Sequence, residues 1–155
     1  MKTNYKALLT SLAIPLAAGG LGALLSGGMD TYGNLNQPPL SPPGWVFPAV
    51  WTVLYLLMGY ASYRVLTSQT EPAATRHALR FYGIQLFLNF LWPIVFFGFG
   101  WYWAAFVLLL ALWGLVYITM YLFGRVDDTA ENLLIPYLLW VTFAGYLNLG
   151  VALLN

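Results

Sequence analysis

The sequence contains no cysteine and very few charged residues. The lack of cysteine excludes a disulfide framework, a thiolate metal site and a cysteine nucleophile. Only 7% of the 155 residues are charged and 61% are hydrophobic, whereas a typical soluble domain carries about 25% charged residues. The net charge of +1 gives no basis for nucleic-acid binding. Such a chain suits a lipid bilayer better than water, and its length fits a single domain, residues 1–155.

Five apolar stretches are long enough to cross a membrane, which takes about 20 residues in a helix. They cover roughly residues 5–25, 44–66, 79–99, 101–123 and 133–154. The sequence therefore predicts an all-α membrane protein, a bundle of five transmembrane helices. The first stretch is longer than the apolar region of about 7–15 residues in a signal peptide, so we expect it to be retained. Five helices cannot form two equal inverted halves, which argues against the usual architecture of secondary transporters.

All lysine and arginine residues fall at one end of the predicted bundle. With five spans, that end holds the N-terminus and the loops around residues 67–77 and 124–132, and the other end holds the C-terminus. The basic residues are Lys2, Lys6, Arg64, Arg76, Arg80 and Arg125. The positive-inside rule then predicts a multi-pass protein with a cytoplasmic N-terminus, if the membrane is a plasma membrane, and a C-terminus on the opposite side.

The stretch "NQPPLSPPGWVFPAVW", residues 36–51, contains four prolines within six residues. Proline fixes its own φ and pushes the preceding residue toward extended geometry. We therefore expect a stiff loop over residues 28–43, with its extended part at residues 35–43, leading into the second helix. Two interpretations remain open for this loop: a spacer between two helices, or a lid over a binding site.

Charged residues are absent from the middle of all five spans, which argues against proton relays and buried ion pairs. Aromatic and amide residues instead recur three or four positions apart, a spacing that places them on one face of each helix. The predicted inward-facing residues are Trp51, Tyr55, Met58 and Ser62 on the second helix, Tyr82, Gln85, Asn89 and Trp92 on the third, Trp113, Tyr117 and Tyr121 on the fourth, and Trp140, Ala144, Leu147 and Asn148 on the fifth.

The intramembrane amides Gln85, Asn89 and Asn148 have two interpretations. They hydrogen-bond between helices, where such bonds are worth about 0.6 kcal/mol on average, or they contact a ligand. Pro93, directly after Trp92, is expected to kink the third helix and to free a backbone carbonyl.

The tryptophans also divide into two groups. Trp45, Trp101 and Trp103 lie at the ends of spans, as in an interfacial aromatic belt. Trp51, Trp92 and Trp140 lie about two turns further in and share faces with the amides. The pattern predicts an uncharged cavity, lined by aromatic and amide groups, that suits a flat apolar ligand with a few polar groups at its edge.

Other functional signals are weak. His77 has no accompanying second ligand, so we interpret it as a solvated histidine in the loop at the basic end and predict no metal site. The pattern Gly19-x-x-x-Ala23-x-x-x-Gly27 allows close helix approach, and packing within the bundle and dimerisation fit it equally well.

Three stretches, one on each of three predicted helices, resemble the TspO/MBR family, the tryptophan-rich sensory proteins related to the mitochondrial translocator protein (the peripheral benzodiazepine receptor). They are "NQPPLSPPGWVFPAVWTVLY", "QLFLNFLWPIVFF" and "PYLLWVTFAGYLN", which start at residues 36, 85 and 136. The resemblance covers nearly the whole chain and implies a five-helix membrane bundle that is often a homodimer.

The resemblance also implies ligands and a site. The ligands are tetrapyrroles such as protoporphyrin IX and haem, isoquinoline and benzodiazepine drugs, and sterols in animal members; no obligatory cofactor is implied, and the other partner is membrane lipid. Some bacterial members are reported to promote light-dependent porphyrin breakdown. Carried over by position, the ligand-binding residues are Tyr32, Pro43, Trp51, Asn89, Trp92, Trp140, Phe143, Ala144 and Asn148.

The sequence departs from the family pattern at two places. Thr31 and Pro39-Leu40 replace residues that are often aromatic in the family, so the loop is poorer in aromatic contacts. Gly150 and Leu153 stand where the animal sterol motif has a tyrosine and an arginine. We therefore expect weak sterol binding through this motif.

These observations leave three functional hypotheses. The first is a membrane receptor or sensor that binds porphyrins and adjusts tetrapyrrole levels under stress or light. The second is a passive transporter of tetrapyrroles or other lipophilic small molecules. The third is an enzyme that oxidises porphyrin in light, with Trp51 and Trp140 as redox-active side chains.

Overall fold

The computed structural model describes residues 2–155, and within them it is all-helical. Five helices are long and apolar enough to cross a membrane, which confirms the predicted fold class. The chain is an integral, multi-pass membrane protein. The helices are α1 (Tyr5–Leu25), α2 (Val46–Leu66), α3 (Pro72–Pro93), α4 (Tyr102–Gly124) and α5 (Asp128–Leu154).

Two helices begin earlier than the apolar stretches predict, because their first turns are polar. Helix α3 starts at Pro72 rather than residue 79, since proline at the first helical position already has a helical φ. Helix α5 starts at Asp128 rather than residue 133. The carboxylate of Asp127 caps it by accepting a hydrogen bond of 2.8 Å from the backbone N–H of Ala130. The loops at this end are therefore shorter than expected.

The helical conformation continues beyond Pro93, the last residue of α3. A π-helical turn, Ile94–Gly98, follows Pro93 directly. Turns of this kind interrupt the regular hydrogen-bond ladder and often lie beside functional sites. Here the turn places Phe96 in the core and leaves Phe97 half-buried beside it.

The helices pack with α1 at the edge of the bundle. Helix α1 contacts α2 and α3, whereas α4 packs between α3 and α5, and α5 also contacts α2. The contact between α1 and α2 is close: a Cβ atom on Gly59 would lie only 2.7 Å from the carbonyl oxygen of Ser11. The backbones of α1 and α2 therefore lie close together at Gly59.

The loop between α1 and α2, residues 26–45, is fixed to the end of α5. The backbone N–H of Asn36 donates to Oδ1 of Asn155 at 3.1 Å, and Nδ2 of Asn155 donates to the carbonyl of Asn36 at 2.8 Å. The hydroxyl of Tyr146 donates to the carbonyl of Pro39 at 2.7 Å. At its other end the loop joins α1 through Gly27 and Gly28, which have φ values of 82° and 88° that favour glycine.

Candidate ligand cavity

A cavity of about 270 Å³ lies between α1, α2 and α3, near the end of the bundle that carries the Pro-rich loop. Its lining is aromatic, small or amide in character, and no lining residue is charged. The lining residues are Leu16, Gly19, Gly20, Ala23, Ser26, Gly28, Met29, Phe47, Pro48, Trp51, Thr52, Tyr55, Asn89, Trp92, Pro93 and Phe97. An apolar lining with a few polar groups is typical of small-molecule sites.

The mouth of this cavity faces sideways, between α1 and α2. Within these two helices, the lining residues that are exposed at the surface are Gly20 and Ala23 on α1 and Pro48 and Thr52 on α2. Since both helices are membrane spans, this side of the mouth opens toward the bilayer; the exposed loop residue Gly28 also lines the cavity, at the end of the bundle. The loop between them contributes only its first residues to the lining, up to Met29, and none of its prolines.

Small residues on α1 make room for the aromatic wall opposite. A side chain on Gly19 would overlap the ring of Tyr55, whereas a Cβ atom added to Gly20 would have no neighbour within 4 Å and would point into open space. A Cβ atom on Gly22 would lie 2.9 Å from the carbonyl oxygen of Phe90. Gly19 and Gly22 therefore pack within the bundle, whereas Ala23 and Gly27 are exposed, and dimerisation through the small-residue pattern stays a prediction.

Trp51 provides the main aromatic surface of the cavity. Its ring stacks on Tyr55 with a centroid distance of 5.5 Å and an interplanar angle of 24°. It also meets Tyr137 edge-to-face at 6.1 Å. These contacts hold the indole in one orientation and leave it half-buried at the cavity wall.

A chain of hydrogen bonds runs from the cavity into the core. The hydroxyl of Tyr55 donates to Oδ1 of Asn89 at 2.8 Å, and Nδ2 of Asn89 donates to the hydroxyl of Tyr137 at 2.8 Å. That hydroxyl donates to Oε1 of Gln85 at 2.7 Å. The chain joins α2, α3 and α5, so Gln85 and Asn89 bond between helices, and Asn89 also lines the cavity.

A second polar contact joins α3 to α5. Nε1 of Trp92 donates to Oδ1 of Asn148 at 3.0 Å, and Nδ2 of Asn148 donates to the carbonyl of Tyr102 at 2.9 Å. Asn148 is only 1% exposed and does not line the cavity. Its amide therefore positions Trp92, which does line the cavity.

Three residues that were expected to contact a ligand do not line the cavity but lie behind Phe47. The ring of Phe47 lies at the cavity wall and meets Tyr32 at 5.0 Å and Trp140 at 5.9 Å, both edge-to-face. Phe143 lies against Trp140 at 5.5 Å. Tyr32, Trp140 and Phe143 therefore support the wall rather than line the space.

The remaining two predicted residues also lie outside the lining. Pro43 is exposed in the Pro-rich loop, and Ala144 is buried in the core. The structure thus brings Trp51, Asn89 and Trp92 together around one space. The other predicted ligand contacts are separated from it in this conformation.

Trp140 also lines an open groove of about 580 Å³ between α2 and α5, on the outside of the bundle. Within residues 2–155, its buried Nε1 has no hydrogen-bond partner. Trp51 and Trp140 therefore border different spaces, one between α1, α2 and α3 and the other between α2 and α5.

The predicted inward face of α4 is wrong. Trp113, Tyr117 and Tyr121 are 39%, 51% and 53% exposed, and they lie on the surface where lipid surrounds the bundle. Trp113 stacks on Tyr117 at 5.9 Å, and its Nε1 donates to Thr142 at 2.8 Å. The three residues do share one helix face, but their spacing does not distinguish a lipid-facing stripe from an inward one.

The interpretation of His77 as a loop residue is also wrong. His77 lies within α3, exposed, with its ring edge-to-face against Phe81 at 5.2 Å. Among residues 2–155, no group of three or more histidine, cysteine, aspartate or glutamate side chains is arranged to hold a metal ion.

Sequence reasoning missed the contribution of α1 to the cavity. Glycine and alanine carry no group that signals a ligand, and the run "GGLGALLSGG" predicts only close packing when its spacing alone is considered. Its abundance of small residues over two helical turns is nevertheless a signal, because such residues leave space as well as allowing close approach.

Fold and site together define a five-helix integral membrane protein with an uncharged aromatic cavity that opens laterally. The sequence model of the TspO/MBR family matches residues 11–154, and the chain belongs to that family.

Relatives from distant organisms support this assignment. The chain is 41% identical over 155 residues, 100% of its length and 95% of the relative, to a tryptophan-rich sensory protein of Cereibacter sphaeroides. It is 40% identical over 124 residues, 80% of the chain and 78% of the relative, to the tryptophan-rich protein TspO of Chlorobaculum tepidum. It is 41% identical over 127 residues, 78% of the chain and 72% of the relative, to the translocator protein of Homo sapiens.

Proposed function

We propose that this protein is a membrane sensor that binds porphyrins, such as protoporphyrin IX or haem, and other flat apolar ligands in the cavity between α1, α2 and α3. In this role it regulates tetrapyrrole levels in responses to stress or light. The names of its relatives, sensory protein and translocator protein, support a role in sensing or transport at a membrane.

The observation that carries the proposal is the uncharged cavity wall built on Trp51. A flat ring stacks favourably on an aromatic side chain, by about 0.5–1.5 kcal/mol beyond area burial. Trp51 is already held in place by Tyr55 and Tyr137, so little side-chain entropy is lost on binding. The side chain of Asn89 lies beside the same space for the polar edge of a ligand.

The volume of the cavity limits how a porphyrin can bind in it. Its 270 Å³ lies just below the range of about 300–1,000 Å³ for drug-sized ligands. A porphyrin therefore fits only if α1 moves outward or if one edge of the ring remains in the bilayer at the mouth. Both arrangements are compatible with a mouth between two membrane spans.

The test is a fluorescence titration of the purified protein with protoporphyrin IX in darkness. Trp51→Ala removes one stacking surface and should weaken binding by at least the aromatic-pair energy, or about twofold to twelvefold. Trp113→Ala is the matched control, because this tryptophan lies on the outer face of α4. Equal binding by the wild type and both variants would place the site elsewhere.

A passive carrier is the second candidate, and the lateral mouth favours it. A ligand that enters from the bilayer needs no aqueous path and no coupling ion, and no lining residue is charged. Proteoliposomes without an ion gradient would separate the two roles: a carrier equilibrates porphyrin between internal and external acceptors, whereas a sensor binds it without net movement.

Light-dependent porphyrin oxidation is an activity that this site would support on the same ligand. Trp51 is at the cavity wall, where its indole can transfer one electron to a photo-excited ring; dioxygen would be the oxidant, taking up the electron from the reduced ring and reacting with the ring as it breaks. Trp140 is separated from that space by Phe47, so of the two tryptophans considered for a redox role we propose only Trp51.

A further inference from the structure

A second, polar pocket lies at the opposite end of the bundle from the Pro-rich loop. It has a volume of about 250 Å³ and is formed where the start of the chain meets the end of α2 and the beginning of α5. Its lining residues are Lys2, Thr3, Tyr63, Arg64, Thr67, Ser68, Gln69 and Asp127. Every one of them carries a hydroxyl, an amide or a charge, in contrast to the apolar cavity.

One ion pair forms the wall of this pocket. Nε and Nη2 of Arg64 donate to the two carboxylate oxygens of Asp127 at 3.0 and 2.9 Å. The same carboxylate accepts the N–H of Ala130, and the guanidinium of Arg64 holds its pKa below the ordinary value, so it is ionised at neutral pH. Asp127 and Arg64 thus neutralise each other, and the Tyr60 hydroxyl is a further hydrogen-bonding neighbour of Arg64.

The unused groups of the pocket are mainly donors. Within residues 2–155 no salt bridge involves Lys2, and its exposed ammonium leaves the pocket with a net positive charge. Ser68 Oγ accepts from the N–H of Thr70 at 3.4 Å, so its own proton remains available. The amide of Gln69 and the hydroxyl of Tyr63 add neutral donors.

The helix ends around the pocket act in opposite directions. The N-termini of α1 and α5 supply positive partial charge, and the C-terminus of α2 supplies negative partial charge. Because Arg64 is paired with Asp127, the ammonium of Lys2 decides the sign of the charge in the pocket. Arg76, Arg80, Arg125 and Lys6 lie at the same end of the bundle and outnumber the further acidic residues there, Glu71, Asp128 and Glu131, so the surrounding field remains positive.

We propose that this pocket binds a phosphate group, carried by an anionic phospholipid or by a soluble phosphate compound. The ammonium of Lys2 would balance part of its charge, and Ser68, Gln69 and Tyr63 would donate to its oxygens. The pocket lies where membrane spans end, at the depth of lipid headgroups, so both sources have access. The site is separate from the aromatic cavity and does not depend on the function proposed for it.

The test compares thermal unfolding of the purified, detergent-solubilised protein in three titrations: short-chain phosphatidylglycerol, short-chain phosphatidylcholine and inorganic phosphate. We expect the unfolding midpoint to rise saturably with an anionic phosphate ligand and not with phosphatidylcholine, since a ligand that binds only the folded state stabilises it. A rise with phosphatidylglycerol alone identifies a lipid headgroup; a rise with inorganic phosphate as well identifies a site for the phosphate group itself.

Two lysines at the same end of the chain provide a matched pair of variants. Lys2→Gln should weaken binding of the anion about fivefold, as expected for one basic residue near a charged surface. Lys2→Arg should restore the affinity. Lys6 is exposed and does not line the pocket, so Lys6→Gln should have little effect. Equal weakening by both glutamine variants would mean a diffuse basic surface, and the absence of saturation with either anion would also overturn the proposal.

Discussion

At the scale of single residues, the amides inside the membrane form hydrogen bonds between helices, so they have a structural role whether or not a ligand is bound. Asn89 uses its carbonyl and its amide group at once, toward Tyr55 and Tyr137. A buried polar group left without a partner in hydrocarbon is costly. The sequence identified Asn89 correctly as an inward-facing polar residue, but the choice between bonding helices and binding a ligand required the distances.

Replacing Asn89 should therefore destabilise the bundle. Asn89→Leu keeps a side chain of similar length but removes two interhelical hydrogen bonds. We expect a loss of about 1–2 kcal/mol from the free energy of unfolding, since single bonds of this kind are worth about 0.6 kcal/mol and reach about 1.7 kcal/mol. Unfolding by SDS in mixed micelles would measure it. The control is Asn132→Leu in the exposed first turns of α5; an equally large loss there would contradict the explanation.

Substituting phenylalanine at Trp51 should separate stacking from electron donation. Trp51→Phe keeps an aromatic face, so dark binding of protoporphyrin IX should weaken by at most about 0.5–1.5 kcal/mol. Light-dependent loss of the porphyrin should fall much more, because benzene is a far poorer electron donor than indole. Absorbance of the bound porphyrin under illumination would report it. Trp140→Phe should leave the rate unchanged, because Trp140 lies behind Phe47; a rate as low as that of the Trp51 variant would refute the assignment.

At the scale of helices and loops, the Pro-rich segment is fixed to α5, and α1 is the helix that borders the mouth of the cavity. The segment is hydrogen-bonded to α5 through Asn36 and Asn155. Helix α1 contacts α2 and α3, and it joins the loop through the two glycines Gly27 and Gly28 at positive φ. A ligand exchanging with the bilayer therefore meets α1 rather than the prolines.

Narrowing the mouth should therefore slow ligand exchange, and loosening the loop should change the exchange rate less. Gly20 borders open space, where an added Cβ atom meets no neighbour within 4 Å, so the side chain of Gly20→Leu should narrow the mouth. We expect slower association and slower dissociation of protoporphyrin IX in stopped-flow fluorescence. Asn155→Ala breaks the contact between the loop and α5 and should change neither rate by as much. Faster exchange in Asn155→Ala with unchanged exchange in Gly20→Leu would show that the loop is the true lid.

The helices and their ends also differ in how well they can be predicted from the sequence. Length and hydrophobicity were enough for all five helices, because a membrane span has few alternatives. The starts of α3 and α5 were missed because Pro72, Asp127 and Asp128 specify helix beginnings outside the apolar stretch. The aromatic residues of α4 are predicted to face inward but lie on the outer surface. Lipid and the bundle interior are both apolar, so hydrophobic periodicity cannot distinguish the two faces.

At the scale of the whole molecule, the two ends of the bundle differ in charge and in chemistry. The contacts between the Pro-rich loop and the C-terminus place both at one end, and the pair Arg64–Asp127 joins the ends of α2 and α5 at the other. Every lysine and arginine lies at this second end. The side of the membrane that each end faces stays a prediction from the positive-inside rule.

Single cysteines would test that prediction cleanly, because the chain has none of its own. Thr31 is exposed in the Pro-rich loop, whereas Thr3 and Thr129 are exposed at the basic end. In a plasma membrane we expect a membrane-impermeant maleimide to label Thr31→Cys in intact cells and to label Thr3→Cys and Thr129→Cys only after permeabilisation. The three threonine-to-cysteine changes are matched in size, so a difference in labelling reports position rather than perturbation. Labelling of Thr3→Cys in intact cells would reverse the orientation, and with it the side on which the phosphate pocket lies, while leaving the lateral mouth of the aromatic cavity where it is.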